Sequence, residues 1–155
     1  MKLTLKQRSL LRMKFGGRCA YCGCELPEKG WHADHVEPVL RISEIDEAAR
    51  AKGLWKLKNT GAVTYAARNS IDNHFPACAP CNLFKATFSV ELFREQIAKQ
   101  IERARASSVN FRTAERFGQI QITQTPILFW FERYQEQQES PTDTYRQIEN
   151  DGREG

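Results

Sequence analysis

Cys19-Ala-Tyr-Cys22 and Cys78-Ala-Pro-Cys81 are two C-x-x-C turns with 55 residues between them, and the intervening stretch holds Gly30-Trp-His-Ala-Asp34-His35-Val-Glu-Pro-Val39. Each C-x-x-C offers two thiolates from one tight turn, and four soft sulfur ligands in a closed tetrahedron suit Zn²⁺. We therefore expect a structural zinc ion on Cys19, Cys22, Cys78 and Cys81. Gly23 follows the first turn, where the backbone has to fold back under the metal. A gap this long between knuckles exceeds that of compact zinc fingers, so the loop that carries Asp34 and His35 must itself be structured.

Two other readings of the cysteines fit less well. A disulfide framework needs an oxidising compartment, and five cysteines leave one unpaired. A redox C-x-x-C explains one motif but not two. Cys24 is left over; it could replace Cys22, but a spare thiol is the expectation.

The remaining totals narrow the class. At 155 residues the chain fits one domain, with 41% hydrophobic and 27% charged residues. It has no run of about 18 apolar residues and no secretory leader pattern, so a cytoplasmic protein without a membrane partner is expected. The net charge is +4, yet residues 132–155 hold seven of the 19 acids and three of the 23 bases. The remaining 131 residues then carry 20 bases against 12 acids, a net of +8. Such a balance makes polyanions the leading partner class, with solvated helix faces as the alternative.

Thr4-x-x-Gln7 is a capping-box signal, and Leu10, Leu11 and Phe15 follow at helical spacing, so a helix is expected over residues 5–15, ended by Gly16-Gly17. Its bases either approach nucleic acid or cap the first knuckle. Residues 31–36 read as a strand closed by Pro38. On a strand Asp34 and His35 point to opposite faces, so a bend or bulge near His35 is expected to bring both to one centre. Residues 44–57 have an S-x-x-D start and good helix formers, which predicts a helix with a weak point at Gly53. A short helix starts at Cys81-Asn82, and a long amphipathic one follows Ser89 with Phe93, Ile97, Ile101 and Ala104 on one face. Gly118 stops a further helical piece, two strand-like runs follow at 119–123 and 127–131, and from about Gln135 the composition predicts an acidic disordered tail.

Hydrolysis of a phosphodiester needs a base for water and a cation for the charge on phosphate and leaving oxygen. Histidine is suited to the first task at neutral pH, and Asp34 with the Asn82 carboxamide could hold a hard divalent ion for the second. His35 is then free to act on water. The set GGRCAYCG, ADHVEP and DNHFPACAPCNLFK resembles the HNH endonucleases, specifically the zinc-ribbon subgroup found among phage and bacterial proteins. The likeness covers about residues 10–93.

What the resemblance implies is an α+β fold: a ββα-metal (His-Me finger) core with a four-cysteine zinc site, flanked by helices. His35 would be the general base, Asp34 and Asn82 the ligands of a catalytic Mg²⁺ or Mn²⁺, and Asn73 the middle residue that holds the loop bearing the catalytic histidine. Lys85, Arg68 and His32 are the candidate nucleic-acid contacts, and the partner is DNA, most simply double-stranded, in a bacterial or phage-infected cell. Residues 1–131 would form the nuclease domain, with a helical insertion over about 40–67 and a helix and hairpin extension over about 90–131; residues 132–155 would be the acidic tail. A zinc-ribbon module that binds nucleic acid without chemistry is the alternative, though it has no use for Asp34, His35 and Asn82 together.

Overall fold

In the computed structural model, which describes residues 3–139, Thr4 and Gln7 form the expected reciprocal cap at the start of α1 (Leu5–Met13). Gly16 and Gly17 follow with φ of 66° and 74°, left-handed values that end the helix without a Cβ penalty. Lys6 is exposed, but Arg8 and Arg12 of this helix and Lys14 just after it turn inward to the chain. Arg8 donates to the Trp31 carbonyl and lies 4.2 Å over its ring, Arg12 donates to the carbonyls of Leu26 and Pro27, and Lys14 donates to that of His74. Helix α1 is thus a clamp over the first knuckle, with Arg8 reaching the wall of the central cavity.

The chain is a mixed α+β protein with two small antiparallel sheets and a four-cysteine cluster. The first sheet pairs β1 (His32–His35) with β4 (His74–Ala77) in unbroken register, His32 opposite Ala77 and His35 opposite His74. The bulge expected near His35 is therefore absent from β1. Cys78 then caps α3 (Ala79–Lys85), whose Pro80 sits in the first turn, where a missing N–H costs nothing.

The second sheet corrects the sequence reading. Residues 41–63 are not a helical insertion but a ribbon of β2 (Arg41–Ile45) and β3 (Leu57–Val63), joined through the one-turn helix α2 (Glu47–Arg50) and a turn at Gly53 with φ of 74°. The helix formers in 44–57 lost because no apolar stripe there finds a core; both strands of the ribbon are exposed throughout, except for Val63. Cross-strand pairs Ile45–Leu57 and Glu44–Lys58 and the bond from the Asp46 amide to the Lys56 carbonyl set its register instead.

Ser89 caps α4 (Val90–Ala98) as expected, but the long helix breaks at Lys99 and resumes as α5 (Gln100–Ser107). Helix α6 (Val109–Arg116) ends at Gly118, and residues 119–129 form neither of the two expected strands. They lack a partner strand and serve instead to carry Phe129 into the core. Phe129 stacks on Phe93 at 5.5 Å, and Tyr21 meets both rings edge-on at 5.3 and 5.4 Å. Leu11, Cys19, Leu26, Trp31 and Ala77 complete this core, so the first knuckle is built into it.

The acidic tail expected from Glu132 is helical up to residue 139, as α7 (Trp130–Glu139), and the rest of that expectation lies outside the described residues. Its anchor is Glu132, which accepts from Arg94 at 2.5 Å and from the Phe129 amide at 2.8 Å. Burial pushes the Glu132 carboxyl up, but these donors outweigh it and hold the group below the usual carboxylate range. A depressed folded value means that the contribution is complete above the unfolded value and fades as pH falls through the folded one. Glu132→Gln should lower stability by about 1–2 kcal/mol at neutral pH. In thermal denaturation the difference from the parent protein should close on acidification below the carboxylate range.

Candidate metal centre and adjoining cavity

Two elements far apart in sequence converge on the four-cysteine cluster. Cys19 and Cys22 lie on the turn that follows α1, Cys78 is the N-cap of α3, and Cys81 lies on its first turn. The Sγ atoms of Cys19, Cys22, Cys78 and Cys81 are all within 4.8 Å of one another, with Cys22 and Cys78 at 3.8 Å. A tetrahedron with Zn–S bonds of about 2.3 Å has edges of about 3.8 Å, so the four sulfurs fit an ion such as zinc. Without a cation the four cannot all ionise. The hydrogen bond to Cys81 holds the Cys19 thiol down to about 4 against the opposing effect of burial. That same bond, followed by burial, pushes Cys81 up, so the pair shares one proton. Cys24 stands beside the cluster with its thiol pushed up to about 12 by burial and by Cys22 and Cys78, consistent with the spare role.

One helical turn beyond the cluster, a second site opens. A cavity of about 920 Å³ is lined by His32, Asp34, His35, Asn69, His74 and Asn82, with Arg8 and Trp31 on one wall and Val39, Leu40, Arg41 and Val63 on another. Asp34 and His35 reach it without a bulge, from opposite faces of β1. Asp34 is buried; its Oδ2 accepts from the Tyr21 hydroxyl at 2.5 Å and pairs with Lys85 Nζ at 3.1 Å. Burial first, and then the Asp34 charge, raise the Tyr21 hydroxyl, so it stays a donor. Oδ1 has no hydrogen-bond partner among the described residues, and Asp34 lines the cavity. The Asn82 carboxamide likewise has no hydrogen-bond partner among them. Asp34 and Asn82 thus bring a carboxylate and a carboxamide, both hard oxygen donors, to the lining of one cavity.

His35 is held from three sides. Its Nε2 lies 3.2 Å from Asn69 Oδ1, its ring centroid is 4.2 Å from that of His74, and its carbonyl accepts from Lys85 Nζ at 2.6 Å. A carbonyl oxygen only accepts, so Nε2 carries the hydrogen and Nδ1 is left as the basic nitrogen. His74 bonds the Ser70 carbonyl through Nδ1 at 2.5 Å, and burial lowers its affinity for a second proton. Asn73 ties down the segment after β1: its amide donates to the carbonyls of Glu37 and Arg68, and its Oδ1 accepts from the Glu37 amide, each at 2.8 Å.

Of the expected phosphate contacts, Lys85 is placed otherwise, while Arg68 keeps part of its side chain exposed. Lys85 has no exposed surface, because it lies one turn after Cys81 on the inward face of α3, where it neutralises Asp34. Arg68 is engaged by Glu37 at 3.9 Å, by the Pro38 carbonyl and by the ring of Tyr65 at 4.3 Å. His32 is exposed on the cavity wall. Tyr21 and Asn69 went unrecognised in the sequence. The tyrosine lies inside the first C-x-x-C, so its direction is fixed by the metal turn; Asn69 carries no sequence signal, since its role depends on the path of the chain after β3.

No helix among the described residues is long and apolar enough to cross a membrane. No family model, curated protein or solved structure matches the chain.

Proposed function

We propose that the protein is an HNH-type endonuclease that hydrolyses DNA phosphodiester bonds, with β1, β4 and α3 as its ββα-metal core. The observation that carries the reading is one solvent-open cavity lined by Asp34, His35 and Asn82, directly beside a four-cysteine cluster. A pure binding module has no need of an oriented histidine next to two hard oxygen donors.

In this reading His35 Nδ1 takes a proton from water as its oxygen bonds to phosphorus, and the P–O3′ bond breaks in line. The departing O3′ becomes a hydroxyl by taking a proton from solvent, and the phosphate stays on the 5′ end. Asn69 keeps the imidazole tautomer fixed, and the charge that builds on Nε2–H is stabilised by the Asn69 oxygen. Asp34 and Asn82 would hold a divalent cation, which when bound supplies neutralisation of the phosphate and leaving oxygen. Lys85 and Tyr21 keep one Asp34 oxygen occupied, so the other is the one presented. The four-cysteine metal is structural and holds Asn82 in place through α3.

Replacing the base tests this directly. His35→Ala should reduce nicking of supercoiled plasmid in Mg²⁺ by about 100-fold or more, with the zinc content and the circular dichroism spectrum unchanged. Equal nicking by both proteins would remove His35 from the mechanism. An absence of nicking by the parent protein with any divalent ion would leave a binding module.

A further inference from the structure

Resting on the reading of the cavity as a DNA site, we infer that the β2–β3 ribbon is an arm that lies in a groove of the duplex beside the cleaved phosphate. The ribbon stands away from the core and exposes a run of apolar side chains: Trp55 is 78% exposed, Leu57 70% and Leu54 50%. Exposed apolar surface concentrated on one short segment marks an interaction surface. Its location is specific. Leu40, Arg41 and Val63 at its base line the same cavity as His35, so a phosphate held there puts the neighbouring groove against the ribbon.

The charges of the arm complement DNA. Asp46 is used as the cap of α2, Glu47 pairs with Arg50, and Glu44 stands opposite Lys58 across the ribbon. Arg41, Lys52 and Lys56 have no side-chain ion pair or hydrogen bond among the described residues. Lys52 and Lys56 bracket Gly53-Leu54-Trp55 at the tip, an aromatic and an aliphatic wedge between two cations. Two strands about 4.8 Å apart fit a major groove about 12 Å wide. Lys52 and Lys56 take the phosphates on either side, while Leu54 and Trp55 lie against the bases, a stacking or wedging contact independent of sequence. A second copy of the chain is the weaker occupant, because two tips would bring like charges together.

The test uses full-length, zinc-loaded His35→Ala protein, titrated onto a short fluorescein-labelled duplex at several salt concentrations and followed by anisotropy. Lys52→Ala/Lys56→Ala should weaken binding about tenfold and flatten the slope of log affinity against log salt by about 2. Trp55→Ala should weaken binding about tenfold with the slope unchanged. Both sites are exposed, so the fold should survive, and matching circular dichroism spectra check this. Affinity and slope equal to those of the parent in both variants would overturn the inference. So would self-association in sedimentation that Trp55→Ala abolishes while DNA affinity stays the same. Cleavage is read separately: a wild-type protein that cuts DNA while the ribbon variants bind normally sinks the arm alone. A wild-type protein that fails to cut while the variants lose affinity sinks the nuclease reading alone.

Discussion

Removing the metal from the four-cysteine cluster is expected to unfold the protein at room temperature. Cys19 is fully buried among Leu11, Tyr21, Leu26, Trp31, Phe93 and Phe129, so a metal bond at its sulfur would be part of the core. A metal held by the cluster would also tie the turn at residues 19–22 to the start of α3, segments joined besides by backbone bonds such as that from the Ala20 amide to the Pro76 carbonyl. Structural zinc sites have apparent binding free energies of about 10–16 kcal/mol, and because no such site exists in the unfolded chain this energy counts toward folding. A domain of this size is held by only about 5–15 kcal/mol in total. Without the ion the sulfurs revert to an arrangement in which Cys19 and Cys81 share a proton, and that hydrogen bond does not replace four metal–sulfur bonds. Adding a strong chelator should therefore abolish the near-ultraviolet circular dichroism of the buried aromatics and shift the emission of Trp31 to the red. Cys19→Ser should purify without metal and in the same state. Cys24→Ser, outside the cluster, should keep one zinc per chain. A chelated protein that melts within a few degrees of the loaded one would show that the core stands without the cluster.

The parts of this structure that could be read in the sequence are those governed by local chemistry. Thr4, Ser89 and Gly118 act through their own side chains or backbone angles, and each bounds a helix where the sequence places it. The two C-x-x-C motifs are local as well, and only their meeting is a tertiary event. The errors lie where tertiary context outweighs propensity. Residues 44–57 have the composition of a helix, yet the pairing of Ile45 with Leu57 and Ser43 with Asn59 fixes a ribbon. Residues 127–131 have the composition of a strand, but they pair with no strand. Phe129 is instead buried against Phe93, while the amides of Trp130 and Phe131 bond the carbonyls of Tyr21 and Ala20. At the site, Asp34, His35 and Asn82, singled out in the sequence, line one cavity, but the direction of Lys85 does not follow from its charge. It follows from helical spacing: Lys85 is four residues after Cys81, on the same inward face of α3.

The second large effect follows from that lysine. Lys85→Met should cost about 3–5 kcal/mol of stability, because it leaves the buried Asp34 carboxylate with the Tyr21 hydroxyl as its one remaining bonded donor among the described residues. Methionine matches the length of the aliphatic stem, so packing is conserved and the loss isolates the charge. In the same variant the ammonium no longer bridges Asp34 Oδ2 and the His35 carbonyl, 3.1 and 2.6 Å away, so the two residues proposed to bind the cation and activate water lose their common support. Nicking activity should fall along with stability. A double replacement separates the two effects. In Asp34→Asn/Lys85→Met the uncompensated charge is gone, and the coupling between two residues in direct contact should restore about 2 kcal/mol relative to Lys85→Met alone. Activity should not return, since the cation would have lost its carboxylate. Chemical denaturation of the parent, both single variants and the double variant measures the coupling, and plasmid nicking in Mg²⁺ is measured on the same four proteins. If stability is additive across the cycle, Lys85 does not act through Asp34. If the stable double variant nicks DNA at the parent rate, Asp34 is not a ligand of the catalytic cation, and the cavity works by other means.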